Sequence, residues 1–163
     1  MNHLLNDNTL ARSDIYGAAV RLVFHDAAEI DVRNSTDLYG PDGCLALNGG
    51  SEGLIEEDSI AKTTIESIWQ TMCGKISRAD FWALFGTIAA ERATDNAIDI
   101  TFQFGRRDNT ACEGGAGRLP TGQAGMEDIK RVFVDQMGLT IHDAGKRQLA
   151  SIALKKNLMY III

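Results

Sequence analysis

Residues 21–26 read Arg21-Leu22-Val23-Phe24-His25-Asp26, and three of these side chains could do chemistry together. They lie in a run, 15–28, whose composition predicts a helix. Helix positions i and i+4 share a face, so Arg21 and His25 point the same way, with Phe24 one step round. A neutral imidazole can accept a proton from a peroxide or a similar acid and later return it to the leaving oxygen. A guanidinium beside it stabilises the charge that develops. A lone histidine on an amphipathic helix is most often structural; the pairing with Arg21 shifts the reading toward catalysis.

Three further groups of residues carry weaker signals. Asp26, Gly40, Asp42 and Cys44 combine carboxylates with a Gly-rich loop, the raw material of a calcium site. On the residues alone a plain turn is the preferred reading, because Gly40-Pro41-Asp42-Gly43 is strong turn chemistry without any metal. Gly105-Arg106-Arg107-Asp108 suggests anion handling or a structural ion pair. In Gly117-Arg118-Leu119-Pro120, Arg118 reads as a solvated loop residue. A hydrolytic or metal site built from His25, Asp26 and Asp42 lacks any nucleophile motif to support it.

These residues need elements to hold them. Ser13 or Asp14 caps a first helix running to about Ala27. Residues 29–53 are loop-like. Glu52 to Met72 reads as a second helix, ended by Gly74. Ser77 caps a third, to about Ala93, with Ser77-Arg78-Ala79-Asp80 as a capping-box variant. Phe81, Leu84, Phe85 and Ile88 form its buried stripe, and Trp69 and Trp82 read as packing. Asp99 to Phe104 alternates weakly, as a short strand would. Residues 105–125 are a Gly-rich loop, Met126 to Met137 is a helix, and Thr140 or Asp143 starts a last one. The class is mainly α.

The chain has 163 residues, enough for one domain with a sizeable core. Its net charge of −6 argues against a nucleic-acid partner. No apolar run is long enough to span a bilayer, so no membrane partner is expected. Met1 to Ser13 is polar and lacks a signal-peptide core. The expected location is therefore cytoplasmic, or secreted if a leader is missing. Asn34-Ser35-Thr36 is a glycosylation sequon, usable only on export. The cysteines, Cys44, Cys73 and Cys112, leave at least one unpaired and fit no zinc spacing.

Taken in order, these segments resemble the plant-type haem peroxidases (plant, fungal, bacterial and invertebrate-like members) from about Ala18 to Ala144. The resemblance rests on Val20-Arg21-Leu22-Val23-Phe24-His25-Asp26, Gly40-Pro41-Asp42-Gly43-Cys44, Glu52-Gly53-Leu54, Ile76 to Leu84, Gly105 to Asp108, Gly117 to Pro120, and Met137-Gly138-Leu139-Thr140. It implies the distal lobe of a two-lobed, nearly all-α fold with haem b between the lobes. It implies reduction of hydrogen peroxide, with oxidation of a small organic donor, as in a response to oxidative stress. His25 becomes the distal acid–base group, Arg21 the stabiliser of the departing oxygen, and Phe24 the pocket wall. Pro120 falls near the substrate entrance. Asp26, Gly40, Asp42 and Cys44 fall where many members bind calcium.

The chain also departs from that family. Ser51 stands where an Asn usually accepts the ring N–H of the distal histidine, which implies a weaker or misoriented base at His25. Cys44 stands where a Ser or Thr oxygen is common, and a thiol weakens a calcium site. Cys44 could instead pair with either of the other cysteines. The haem axial ligand is not found. Ser151 occupies the aligned position, and His142 lies nine residues early, about 13 Å along a helix. The tail 145–163 resembles nothing in the family. The sequence therefore reads as a single, partial peroxidase domain over 1–163, with the second lobe largely missing. The alternative function is a catalytically inactive, truncated paralogue or fragment.

Overall fold

The computed structural model describes residues 12–37, 39–45, 54–112, 117–120 and 125–143. It is mainly α, as the sequence implies, and holds no strand among the described residues. Helix α1 is Arg12–Ala27. Helix α2 covers 61–70, wound as a wide π-type helix over Ala61–Glu66 and as an α-helix over Ser67–Gln70. Helix α3 is Arg78–Ala93. Helix α4 covers 126–136, with Met126–Ile129 α-helical and Lys130–Gln136 π-type.

Local chemistry explains most of the boundaries. Ser77 has extended backbone, and its hydroxyl accepts the Asp80 N–H at 3.1 Å, the N-cap expected for α3. The capping box is only half made. The Asp80 carboxylate turns away to accept from the Gly105 and Arg106 N–H groups and from the Arg106 guanidinium at 3.0 Å. The Gly105–Asp108 segment is therefore a structural ion pair, and Asp108 adds a bond from the Ala79 N–H.

Two expected elements change. The second helix does not start at Glu52, since 54–59 is a series of turns. Ser59 accounts for the shift: its hydroxyl accepts from the Lys62 N–H at 3.2 Å and donates to the Leu54 carbonyl at 2.9 Å, so the helix begins at Ala61, nine residues later than expected. The strand over 99–104 does not form. Its backbone is held by side chains instead, as where Ile100 N–H donates to Glu91.

The main core lies between α1 and α3. Ile15, Ala19 and Leu22 of α1 pack with Phe81, Trp82, Phe85 and Ala89 of α3, and with Ala61 and Ile65 of α2. The helices meet closely at Gly86, where an added Cβ would lie 3.0 Å from the Val23 Cβ and 3.4 Å from the Ala19 carbonyl. Arg78 ties α2 to α3. Its guanidinium sits 4.5 Å over the Trp69 ring and 3.4 Å from the Glu66 carboxylate, which also accepts from the Trp82 indole at 2.6 Å. A second, smaller cluster joins Phe24 of α1 to Ile129 and Phe133 of α4.

The loop after α1 is fastened by one carboxyl group. Asp26 is 2% exposed. It accepts from the N–H groups of Asp42, Gly43 and Cys44 at 3.1–3.3 Å. Burial pushes its pKa up from 3.8 to about 8, opposed by the bond from Gly43 and reinforced by the charge of Asp42. The folded protein thus holds a proton there that the unfolded chain releases near 3.8. The loop is closed further by a disulfide between Cys44 and Cys112, Cα atoms 5.4 Å apart. Cys73 is exposed and free.

Two outcomes are expected. On an open helix face Gly→Ala stabilises by about 1 kcal/mol. Gly86→Ala will instead destabilise, by about 1–3 kcal/mol from overpacking against Val23, as read in urea denaturation. Because the folded-state pKa of Asp26 is raised, its contribution to stability is complete below pH 3.8 and lost by about pH 8. The slope it adds is at most about 1.4 kcal/mol per pH unit. Asp26→Asn should flatten the stability profile across this window; a profile as steep as the parent's would refute the assignment.

Candidate active site

Arg21, Phe24 and His25 all lie on the second half of α1, and all are half-buried. The helix places Arg21 and His25 one turn apart on one face. Phe24 is fixed from two sides. Its ring stacks on Phe133 of α4, centroids 5.6 Å apart and planes at 22°. It meets the His25 ring edge-on, at 5.8 Å and 83°. Such offset and edge contacts are the favoured aromatic geometries and limit rotation of both rings. The result is a base, a cation and an aromatic wall on one rigid helical turn. That arrangement can move a proton at the imidazole while the guanidinium steadies an oxygen anion.

Asp26, Gly40, Asp42 and Cys44 do come together, as the sequence suggested, but as a hydrogen-bonded clamp. The Asp26 oxygens face amide donors of 42–44. Asp42 accepts from the Cys44 N–H at 3.0 Å and from the Asn109 side chain at 3.0 Å. Burial pushes the Asp42 pKa up, and the Asn109 and Cys44 bonds oppose it. Gly40 is buried, with φ of 141°, its backbone against Ile30. The Cys44 sulfur is committed to Cys112. No group of three or more His, Cys, Asp or Glu able to hold a metal occurs among the described residues. The turn reading of this loop accounts for what the side chains do.

Ser51 and Ser151 lie outside the described residues. Pro120 is half-buried and follows Leu119, which is buried. His142 is described, and its side chain is 74% exposed beside Asp143. It stands in no enclosed pocket position for an axial ligand.

Arg118 corrects a sequence expectation. It is no solvated loop residue: its side chain is 23% exposed, bonded to Asp37 at 2.5 Å and to the Glu29 carbonyl at 2.6 Å, and laid 4.7 Å over the Tyr39 ring. Sequence reasoning also passed over Phe133, Asn109 and Gln136. Phe133 had a signal, since it falls on the apolar face of a helical stretch. Asn109 and Gln136 had none, because their partners are 67 and 108 residues away.

A family model described as "Peroxidase" matches residues 2–145. Cytosolic L-ascorbate peroxidase 1 of Oryza sativa subsp. indica is 33% identical over 132 residues, which is 76% of this chain and 48% of that protein. Cytosolic L-ascorbate peroxidase 2 of Oryza sativa subsp. japonica is 30% identical over 125 residues, 76% of this chain and 47% of that protein. The chain thus spans about half the length of the curated relatives it matches. No helix among the described residues is long and apolar enough to cross a membrane. With the Arg21–Phe24–His25 face in place on α1 and the match running over most of its length, the chain belongs to the peroxidase family.

Proposed function

We propose that this chain supplies the distal side of a site that reduces hydrogen peroxide and oxidises a small organic donor. The observation that carries this reading is the single turn of α1 on which Arg21, Phe24 and His25 are held, with Phe24 wedged between His25 and Phe133. His25 takes the peroxide proton and returns it to the departing oxygen. Arg21 stabilises that oxygen as charge builds. Phe24 keeps bulk water from the face. Ascorbate is the donor in the names of the rice relatives and is the first donor to try here.

Haem b fits this chain on one side only. When bound, it would supply the oxidising centre that accepts the peroxide oxygen. Arg21, Phe24 and His25 suit its distal face, but the described residues present no enclosed histidine to bind iron from the other side, and His142 is largely exposed. That same observation supports a second reading, a family member that is inactive by itself. The Cys44–Cys112 bond favours an oxidising compartment, and so the secreted rather than the cytoplasmic location.

Two measurements bear on these readings. Haemin with added imidazole, as a soluble axial base, should give peroxide-dependent ascorbate oxidation in the presence of the chain. His25→Ala should then lower the rate by about 10²–10⁴-fold, the usual contribution of a positioned acid–base group. Equal rates for the parent and the variant, or for haemin and imidazole alone, would sink the catalytic reading and favour the inactive one. Calcium should leave the melting temperature unchanged, because the Asp26 and Asp42 oxygens are already engaged by amide donors. A rise of several degrees would show that the loop is a metal site after all.

A further inference from the structure

Beyond Ala28, the end of α1 is held weakly by its own sequence. A helix leaves its last carbonyls without partners unless a glycine or another cap closes it. Here the chain continues Ala28-Glu29-Ile30, with no glycine. The Ala28 N–H still donates to the Phe24 carbonyl at 2.9 Å, but the next two local bonds are long: Glu29 N–H to the Asp26 carbonyl and Ile30 N–H to the Ala27 carbonyl are both 3.5 Å.

Two distant side chains supply stronger bonds to the same turn. The Gln136 side chain, on α4 and 3% exposed, donates to the Ala28 carbonyl at 2.9 Å. The Gln136 carbonyl in turn accepts from the Val32 N–H at 2.9 Å. Arg118 donates to the Glu29 carbonyl at 2.6 Å, and its position is set by Asp37 and the Tyr39 ring. Asp37 also accepts from the Asp31 N–H at 2.5 Å, so Arg118 and the 29–37 loop form one unit. The two acceptor residues come three and four positions after His25. Any rotation of this last turn about the helix axis would swing the imidazole relative to Arg21 and to the Phe24 ring.

We infer that Gln136 and Arg118 are positioning residues for His25, fixing the pitch and rotation of the turn that carries it. Neither touches the reacting atoms. They close the helix end from two sides, Gln136 from α4 and Arg118 from the 117–120 segment, and Asp26 holds the same turn to the 42–44 loop. The inference gives these residues a purpose in the peroxide reading and rests on that reading for its catalytic meaning.

The test reads the imidazole itself, in the full chain and without haemin. His25 ring resonances are followed by long-range ¹H–¹⁵N spectra across a pH titration, assigned by their loss in His25→Ala, with His142 as an internal reference. Arg118→Gln and Gln136→Met should each displace the His25 resonances and change its tautomer balance, while His142 stays put. Arg118→Lys, which keeps a cation able to reach one acceptor, should restore part of the parent spectrum. Ile65→Val, in the core away from this turn, should lower the melting temperature and leave His25 unchanged. Should Gln136→Met fail to fold, the less buried Arg118 pair decides. Parent-like His25 resonances in the Arg118→Gln and Gln136→Met proteins, with only a lowered melting temperature, would overturn the inference. That result would leave the peroxide reading standing. Failure of the haemin assay, conversely, would leave the positions of these rings unaffected.

Discussion

The carboxyl group of Asp26 is the constraint on which the site's surroundings depend. It leaves α1 one residue after His25 and is buried against the backbone of 42–44. A charged carboxylate in that position carries a large desolvation cost, and Asp42 adds to it, so the group is held protonated over much of the ordinary pH range. The arrangement joins the helix to the loop by hydrogen bonds in place of apolar packing. That matters because the loop is short of large side chains: Gly40, Pro41, Asp42 and Gly43 offer little surface to bury. The same loop then passes the constraint on, through Asp42 to Asn109 and through Cys44 to Cys112.

The helices and the shared face of Arg21 and His25 were legible because their signals are local. Ser77 sits where an N-cap must sit, the apolar spacing of Phe81 and Phe85 marks a buried face, and Arg21 and His25 fall one turn apart. What could not be read was set by tertiary contact. Asp80 had the right position for a capping box, yet Arg106, 26 residues away, offered its carboxylate a charged partner. The 99–104 segment alternates like a strand, but found no neighbour to pair with among the described residues. Arg118 sat in a recognisable motif, and only the fold shows that Tyr39 and Asp37 remove it from solvent. The cysteine count allowed several pairings, and spacing could not choose among them.

The family match and the site geometry answer different questions. The match extends over most of this chain but only about half of each relative. The geometry shows Arg21, Phe24 and His25 on one helix, held firmly because two clusters grip α1. One is the Ile15–Ala19–Leu22 face against α3, and the other is Phe24 against Phe133. A helix gripped on two faces has little freedom to roll, a property that the proposed proton transfer at His25 would use.

The disulfide alters how such a protein can assemble. It turns the stretch from Cys44 to Cys112 into a covalent ring, leaving a tail at each side. Helices α2 and α3 lie on the ring, whereas α1 and α4, which meet through Phe24 and Phe133, lie on opposite tails. Once the bond has formed, 68 residues of separation drop out of the path between those two rings. Their encounter then costs the entropy of closing a much shorter loop. The two helices that frame His25 thus become topological neighbours wherever the bond is present.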